Sequence, residues 1–468
     1  MLGSQTASST FATPPWVVAT LQFLGRLPFE AQVFVGIVSL LLVVVLLNIL
    51  WESIRGPVTE RYVEGFKVVS HKELAKITAY KDKAKRPFQI MFGQVPWPKA
   101  LENMHALIVG TTGVGKSTLL RQILSRIRAK GGRAIVVDLN GEFAAKFLID
   151  GDKIFNPFDK KSVRWNPLAE IHSDEDVDTV VRAMIPSGST QEDENWRGYA
   201  RQFLQTLMRR LREQGELNMD RLRHYAIAAG NKEVDAFFQR GSKSSRLQEN
   251  SMVSNTKTLV KDCVESWEHA SQETNFSIKE WVREGKGFIF ITPRDSQREA
   301  LKPLINAFMN LAVAQALSPP DRTPLPPVSL VVDELSSFEF DDLQGVLEKG
   351  RKFGLVAYAG IQNIAQLRQK YGADGADVLM SCFRTKIIFN PGDAATGEKM
   401  AAEIGSVTVE TLEVSSSNGK KGGSVTKSWR LQKPKPAVSG DQLRKLPNLQ
   451  AYVKFDGDYP IAKITLQP

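Results

Sequence analysis

Gly110-Thr111-Thr112-Gly113-Val114-Gly115-Lys116-Ser117 has the spacing G-x-x-x-x-G-K-S, and Thr118 follows it. Such a loop binds phosphate when it joins a strand to a helix. The glycines let successive N–H groups turn inward around a β-phosphate. The helix that follows points its positive end at the same group. Lys116 is placed to reach the β- and γ-phosphates, and the Ser117 hydroxyl to ligate Mg²⁺. The flanks meet the requirement: Ala106 to Val109 reads as a buried strand, and Thr118 to Arg128 has helical periodicity. ATP and Mg²⁺ are therefore the expected cofactors.

Three further apolar runs end in polar residues that could act on the same phosphates. Arg133 to Val137 ends in Asp138-Leu-Asn-Gly-Glu142. An acidic residue at the carboxyl end of such a strand either faces nucleotide or metal, or caps a turn. Ser329 to Val332 ends in Asp333-Glu334. There Asp333 would hold Mg²⁺ through water, and Glu334 would polarise the attacking water. Leu355 to Ile361 ends at Gln362, which could sense the γ-phosphate or simply start the next helix. Before that run stands Gly350-Arg351-Lys352-Phe353-Gly354. From the residues alone Arg351 reads as a surface charge before it reads as a finger aimed at a neighbour's nucleotide.

These positions need a scaffold. Apolar runs alternating with helical stretches predict a parallel sheet covered by helices, an α/β fold. Residues 174–284 are helical in pattern, with Phe203, Leu204, Leu207 and Leu211 at helical spacing between Asn195 and Glu213, and a further helix expected over Val253 to Ala270. They read as an all-α domain inserted into a P-loop domain formed by 101–173 and 285–468, after a connector at 53–100. Arg221, Arg223, Arg240, Lys243 and Arg246 within the insertion either touch nucleic acid or form a solvated face. Ser415 to Ser424 is flexible in composition, and a long mobile hairpin loop is expected there.

Residues 1–52 hold a charge-free run from Val33 to Trp51. At about 1.5 Å per residue it spans roughly 28 Å, the thickness of a bilayer core. Arg55, Arg61 and Lys67 follow it, whereas Arg26, offset by Glu30, precedes it. The expected orientation places the body in the cytoplasm. The formal net charge of +10 suits a phosphate-rich partner or an acidic membrane. Cys263 and Cys382 form no C-x-x-C, and the five histidines form no ligand cluster, so neither a disulfide framework nor a zinc or haem site is expected.

Taken together, the chain resembles the type IV secretion coupling proteins, the TraD and TrwB kind of conjugative ATPase. The resemblance runs from Gly110–Thr118 and Val137-Asp-Leu-Asn-Gly-Glu-Phe143 through Asn156-Pro157, Met184-Ile-Pro186 and Trp196. It continues through Val332-Asp-Glu334, Gly350-Arg-Lys-Phe-Gly354, Gly360-Ile-Gln362, Gln366-Leu and Tyr371-Gly372 to Leu446-Pro-Asn-Leu and Tyr459-Pro460. It implies a RecA-like core and hexamers around a channel, with Arg351 acting in trans and Gln362 sensing nucleotide. The partners it implies are relaxase-bound, single-stranded DNA, relaxosome proteins, the secretion channel and the bacterial inner membrane. One clear apolar span stands where many members have two. An accessory protein docked by an acidic tail, as in some members, is not expected. The rival readings are an FtsK-like translocase of duplex DNA, a P-loop assembly switch, and a protein-secretion ATPase indifferent to DNA.

Overall fold

The computed structural model describes residues 60–467 apart from 189, 240–255, 259, 262–263, 272, 319–326, 338–342 and 420–421. Before residue 60 it describes only 28, 30, 31, 37, 38, 42 and 43. The apolar run 33–51 thus lies outside the described residues, save Ile37, Val38, Leu42 and Val43, which are helical and exposed. Arg240, Lys243 and Arg246 also lie outside.

The body, residues 64–407 and 434–468, is built on ten strands. In chain order these are β1 Val68–Val69, β2 Ala106–Val109, β3 Arg133–Val137, β4 Lys153–Phe155, β5 Phe288–Ile291, β6 Val328–Val332, β7 Leu355–Ile361, β8 Thr385–Ile388, β9 Gln450–Lys454 and β10 Ile461–Thr465. Their order across the sheet is β1-β10-β9-β8-β2-β7-β6-β3-β5-β4. From β8 to β4 every pairing is parallel; β9 runs antiparallel to both β8 and β10. The central strands are apolar at nearly every residue because both faces are covered, as in Phe288-Ile-Phe-Ile291 and Leu330-Val-Val332.

The helices start and stop where the sequence caps them. Helix α1 is His71–Thr78. Helix α2, Lys116–Ala129, buries Leu119, Leu120, Ile123, Leu124 and Ile127 against the sheet. Helix α3 is Glu142–Phe147. Helix α4, Asp174–Met184, opens with a capping box between Ser173 and Asp176. Helix α5, Gln191–Glu213, begins four residues before the apolar periodicity because Thr190 caps it and three acidic residues occupy its first turn.

Two short helices follow, Met219–Arg223 and Asn231–Gln239. Of the expected helix over Val253 to Ala270, the described residues up to Glu265 are helical and lead into a 3₁₀ turn at Ser266–His269, with Ala270 extended after it. Helix α6 is Ile278–Glu284, and α7, Arg298–Leu317, packs on both α4 and α6. Among the described residues α7 belongs to the one stretch long and apolar enough to cross a membrane, and 67% of its apolar window is buried. It is a core helix that joins the helical segment to the sheet in one continuous apolar core, from Leu107 to Leu207 and Phe308. Helices α8 Leu343–Phe353, α9 Ile364–Cys382 and α10 Ala394–Ile404 complete the cover.

The arginines of α5 are held by acids: Arg197 by Asp193, Arg201 by Glu194, Arg209 by Asp178, Arg210 by Glu213 and Arg212 by Asp174. Arg221 and Arg223 likewise meet Glu216 and Glu268.

The smaller unit, residues 1–63 and 408–433, contains most of a long hairpin. Here the structure corrects the expected loop at Ser415 to Ser424. Strands Ser406–Gly419 and Gly422–Leu431 pair without interruption to Gly419↔Gly422. Small polar residues offer no core, but the antiparallel backbone ladder does not need one. Beside it the Arg61 guanidinium lies 4.0 Å over the Trp429 ring.

Candidate functional site

The phosphate-binding sequence leaves the centre of the sheet, between β2 and α2. Three backbone bonds fix its start: Phe389 donates to Val109 at 2.8 Å, Gly110 to Ile361 at 3.1 Å and Thr111 to Asn390 at 2.9 Å. Gly115 has φ +118°, a left-handed conformation that turns the chain into α2 and that a side chain would strain. Leu449, itself at φ +65°, donates its N–H to Val114 O at 2.8 Å. The loop is therefore clamped by β7, by the chain after β8 and by the turn before β9.

Lys116 is buried, and its ammonium donates to Gly110 O at 2.8 Å and Thr111 O at 3.2 Å, folded back across the loop. Burial pushes its pKa down, and the negative charges of Asp333 and Glu334 oppose that shift. The Ser117 hydroxyl stands 3.4 Å from each carboxylate oxygen of Asp333. Burial raises the Asp333 pKa, Lys116 lowers it, and the charge of Glu142 raises it further. Glu142 is exposed on α3.

The Glu334 pKa is raised by burial and held down in part by a hydrogen bond from Ser336 to its Oε1. Its other oxygen, Oε2, is buried with no partner among the described residues. A buried acceptor of that kind fits a water. Ser336 is itself 3.4 Å from the Gln366 side chain, and Lys370 donates to its carbonyl at 3.1 Å.

The structure thus brings together Lys116, Ser117, Asp333 and Glu334, with the charge of Glu142 felt at Asp333. Gln362 follows the β7 residue that accepts from Gly110, and its strand lies between the P-loop strand and the Asp333 strand. Asp138 behaves otherwise. It is 1% exposed, and its Oδ2 accepts the Ala144 N–H at 2.7 Å, capping α3. Burial drives its pKa up to about 6, against the α3 N–H groups of Ala144, Phe143 and Glu142. Thr112 and Gly113 are exposed at the loop tip, Val114 is buried beneath it, and Thr118 accepts from Arg121 at 2.8 Å. Arg351 lies exposed in the last turn of α8 with no hydrogen bond or ion pair among the described residues.

Sequence reasoning missed Ser336, Asn390 and Leu449. Ser336, two residues past Glu334, was the one within local reach. The site residues fit MgATP chemistry on three structural grounds: a lysine turned over a glycine loop, a hydroxyl facing a carboxylate, and an unpartnered buried carboxylate oxygen.

A strand–loop–helix of this form in a parallel sheet defines a P-loop protein. Residues 89–467 match the family described as the type IV secretion-system coupling protein DNA-binding domain, and the chain belongs to that family. Coupling protein TraD of Escherichia coli (strain K12) is 25% identical over 397 residues, 81% of this chain and 54% of that protein. The chain therefore spans about half the length of that curated relative. The solved structure of plasmid coupling protein TrwB with the non-hydrolysable ATP analogue ADPNP is 30% identical, with TM-score 0.76, covering 88% of this chain and 95% of that one. TrwB with ADP and Mg²⁺ gives the same identity and TM-score, covering 88% and 96%.

Proposed function

We propose that this chain is a membrane-anchored ATPase motor that couples relaxase-bound DNA to a type IV secretion channel and drives its transfer in conjugation. The observation that carries the enzymatic part is the convergence of Lys116, Ser117, Asp333 and Glu334 on one clamped glycine loop. Membership in the coupling-protein family supports the DNA and secretion part, and relatives solved with nucleotide and Mg²⁺ support the ATPase part.

Gly110 to Thr118 wraps the phosphates. Lys116 neutralises their charge, and Ser117 and Asp333 would hold Mg²⁺, which when bound would offset the negative charge of the phosphates. Glu334 takes the proton of the attacking water through its unpartnered oxygen. Glu142 adds negative charge beside Asp333, and Asp138 fixes the turn that presents it. Arg351, exposed and unpaired among the described residues, reaches the nucleotide of a neighbouring subunit in a hexamer with a RecA-like core. Gln362, tethered through Ile361 to the loop, reports loss of the γ-phosphate. The inserted all-α domain 174–284 faces the cytoplasm. Its Arg197, Arg201, Arg209, Arg210, Arg212, Arg221 and Arg223 are paired with acids. Cargo contact therefore falls to other cations, of which Arg182 is exposed with no ion pair among the described residues. Span 33–51, whose described residues are helical with exposed apolar side chains, anchors the chain once through the inner membrane.

The test is ATP turnover of the full chain in lipid nanodiscs, with single-stranded DNA, duplex DNA or none. Turnover stimulated by single strands and abolished in Lys116→Ala is expected. Preference for duplex would favour an FtsK-like translocase. Turnover indifferent to any DNA would favour a protein-secretion ATPase, and binding without turnover an assembly switch.

A further inference from the structure

Residues Lys81–Phe88 form a closed loop whose eight residues are all exposed. Its base is built firmly. Gln89, 1% exposed, donates to Thr78 O at 2.9 Å and Trp97 O at 2.7 Å, and accepts the Tyr80 N–H at 3.0 Å. One buried amide thus ties the chain entering the loop to the chain leaving it. Arg86 donates to Tyr80 O at 2.8 Å, and Arg126 of α2 donates to Pro87 O. Within the loop Asp82 caps a 3₁₀ turn, Lys83–Phe88, by accepting the Ala84 N–H at 3.0 Å.

What this base holds out is four cations, Lys81, Lys83, Lys85 and Arg86, against the single acid Asp82. Lys85 meets that acid at 3.8 Å in full solvent; Lys81 and Lys83 have no ion pair among the described residues. Beside them Phe88 is 46% exposed, and on the preceding helix Ile77 is 54% exposed. A large apolar side chain kept in water among lysines is the composition of a membrane-surface contact. A nucleic acid would use the cations and the ring, but aliphatic Ile77 cannot stack on a base, whereas it can enter the acyl boundary. The loop lies thirty residues after the apolar run that ends at Trp51.

We propose that loop Lys81–Phe88 is a docking surface for an anionic lipid bilayer, its cations meeting lipid phosphates and Phe88 entering the interface. This rests on the membrane-anchored reading above, and goes beyond it by assigning the body its own lipid contact. Each cation removed should weaken that contact about fivefold.

The test uses the full chain with Cys263→Ser and Cys382→Ser and a nitroxide at Ala84→Cys, mixed with vesicles of phosphatidylcholine alone or with phosphatidylglycerol. The expected result is a label shielded from aqueous nickel chelate and open to oxygen only when phosphatidylglycerol is present. Lys81→Glu with Lys83→Glu, or Phe88→Ser, should return the label to water, with circular dichroism confirming the fold. Equal exposure in both lipid mixtures overturns the proposal. So does shielding that appears only with added DNA. Flotation with neutral vesicles reports the anchor separately. A chain that does not float loses its anchor reading, while the label still decides the loop's contact.

Discussion

The Ser117 hydroxyl lies 3.4 Å from both carboxylate oxygens of Asp333, 216 residues away in the chain. One residue begins a helix and the other ends a strand that is not adjacent to the P-loop strand. A hydroxyl centred on a carboxylate is an arrangement that a divalent cation can bridge. Asp333→Asn is expected to raise the Mg²⁺ concentration needed for half-maximal turnover and to lower maximal turnover by about a hundredfold or more, since such a metal contributes several kcal/mol to the transition state. A magnesium titration of ATP hydrolysis checks this, and an unchanged midpoint would refute it.

Ser336 donates to Glu334 and so orients the proposed base. Ser336→Ala should lower kcat about fivefold, the value of one hydrogen bond of ~1 kcal/mol, with little change in KM. It should also move the pH profile. The Ser336 bond favours the charged carboxylate, so its loss raises a Glu334 pKa that burial already raises. The base acts when deprotonated, and the acid limb of the kcat profile should shift to higher pH. An acid limb that stays in place would show that Ser336 does not bear on the base.

What could be read from the sequence was local. The glycine loop, Lys116, Ser117 and the Asp333-Glu334 pair sit at strand ends, where an apolar run followed by a polar residue announces itself. The α5 helix was visible in Leu204, Leu207 and Leu211, though its start needed the Thr190 cap. Contacts set by strand order could not be read. Asn390 and Leu449 hold the loop from more than 270 residues away through backbone groups that any residue carries. The same holds for pairing of charges: the arginine-rich face of α5 reads as basic until Asp174 and Asp178 of α4 are placed beside it. At Asp138 the sequence left two roles open, and the geometry at Ala144 shows the cap.

Gly360 of β7 lies against the backbone of Asp333, where a Cβ would stand 2.0 Å from the Asp333 carbonyl oxygen. No rotamer change relieves a clash with backbone. Gly360→Ala must push β7 from β6 at the end that carries both Asp333 and Gln362. Destabilisation of about 1–3 kcal/mol is expected from such overpacking, together with lost turnover at temperatures where the protein remains folded. Chemical denaturation alongside ATP hydrolysis would read both, and wild-type values for both would contradict the close approach of β7 to Asp333.

Asp138 makes stability depend on pH in a direction opposite to most carboxylates. Its pKa rises from the ordinary 3.8 to about 6 because burial penalises the charge more than the α3 N–H groups reward it. Between these values the folded protein holds a proton that the unfolded chain has released. Stability from this group is therefore complete below about pH 4 and is lost as pH rises through about 6. Asp138→Asn keeps an acceptor for the Ala144 N–H and has no proton to lose. The variant should gain stability relative to the parent as pH rises from about 4 to 7, while the α3 turn is preserved. Melting temperatures of both proteins across that range test it. Parallel curves would mean that the Asp138 pKa is the same folded and unfolded, the α3 N–H groups fully offsetting burial.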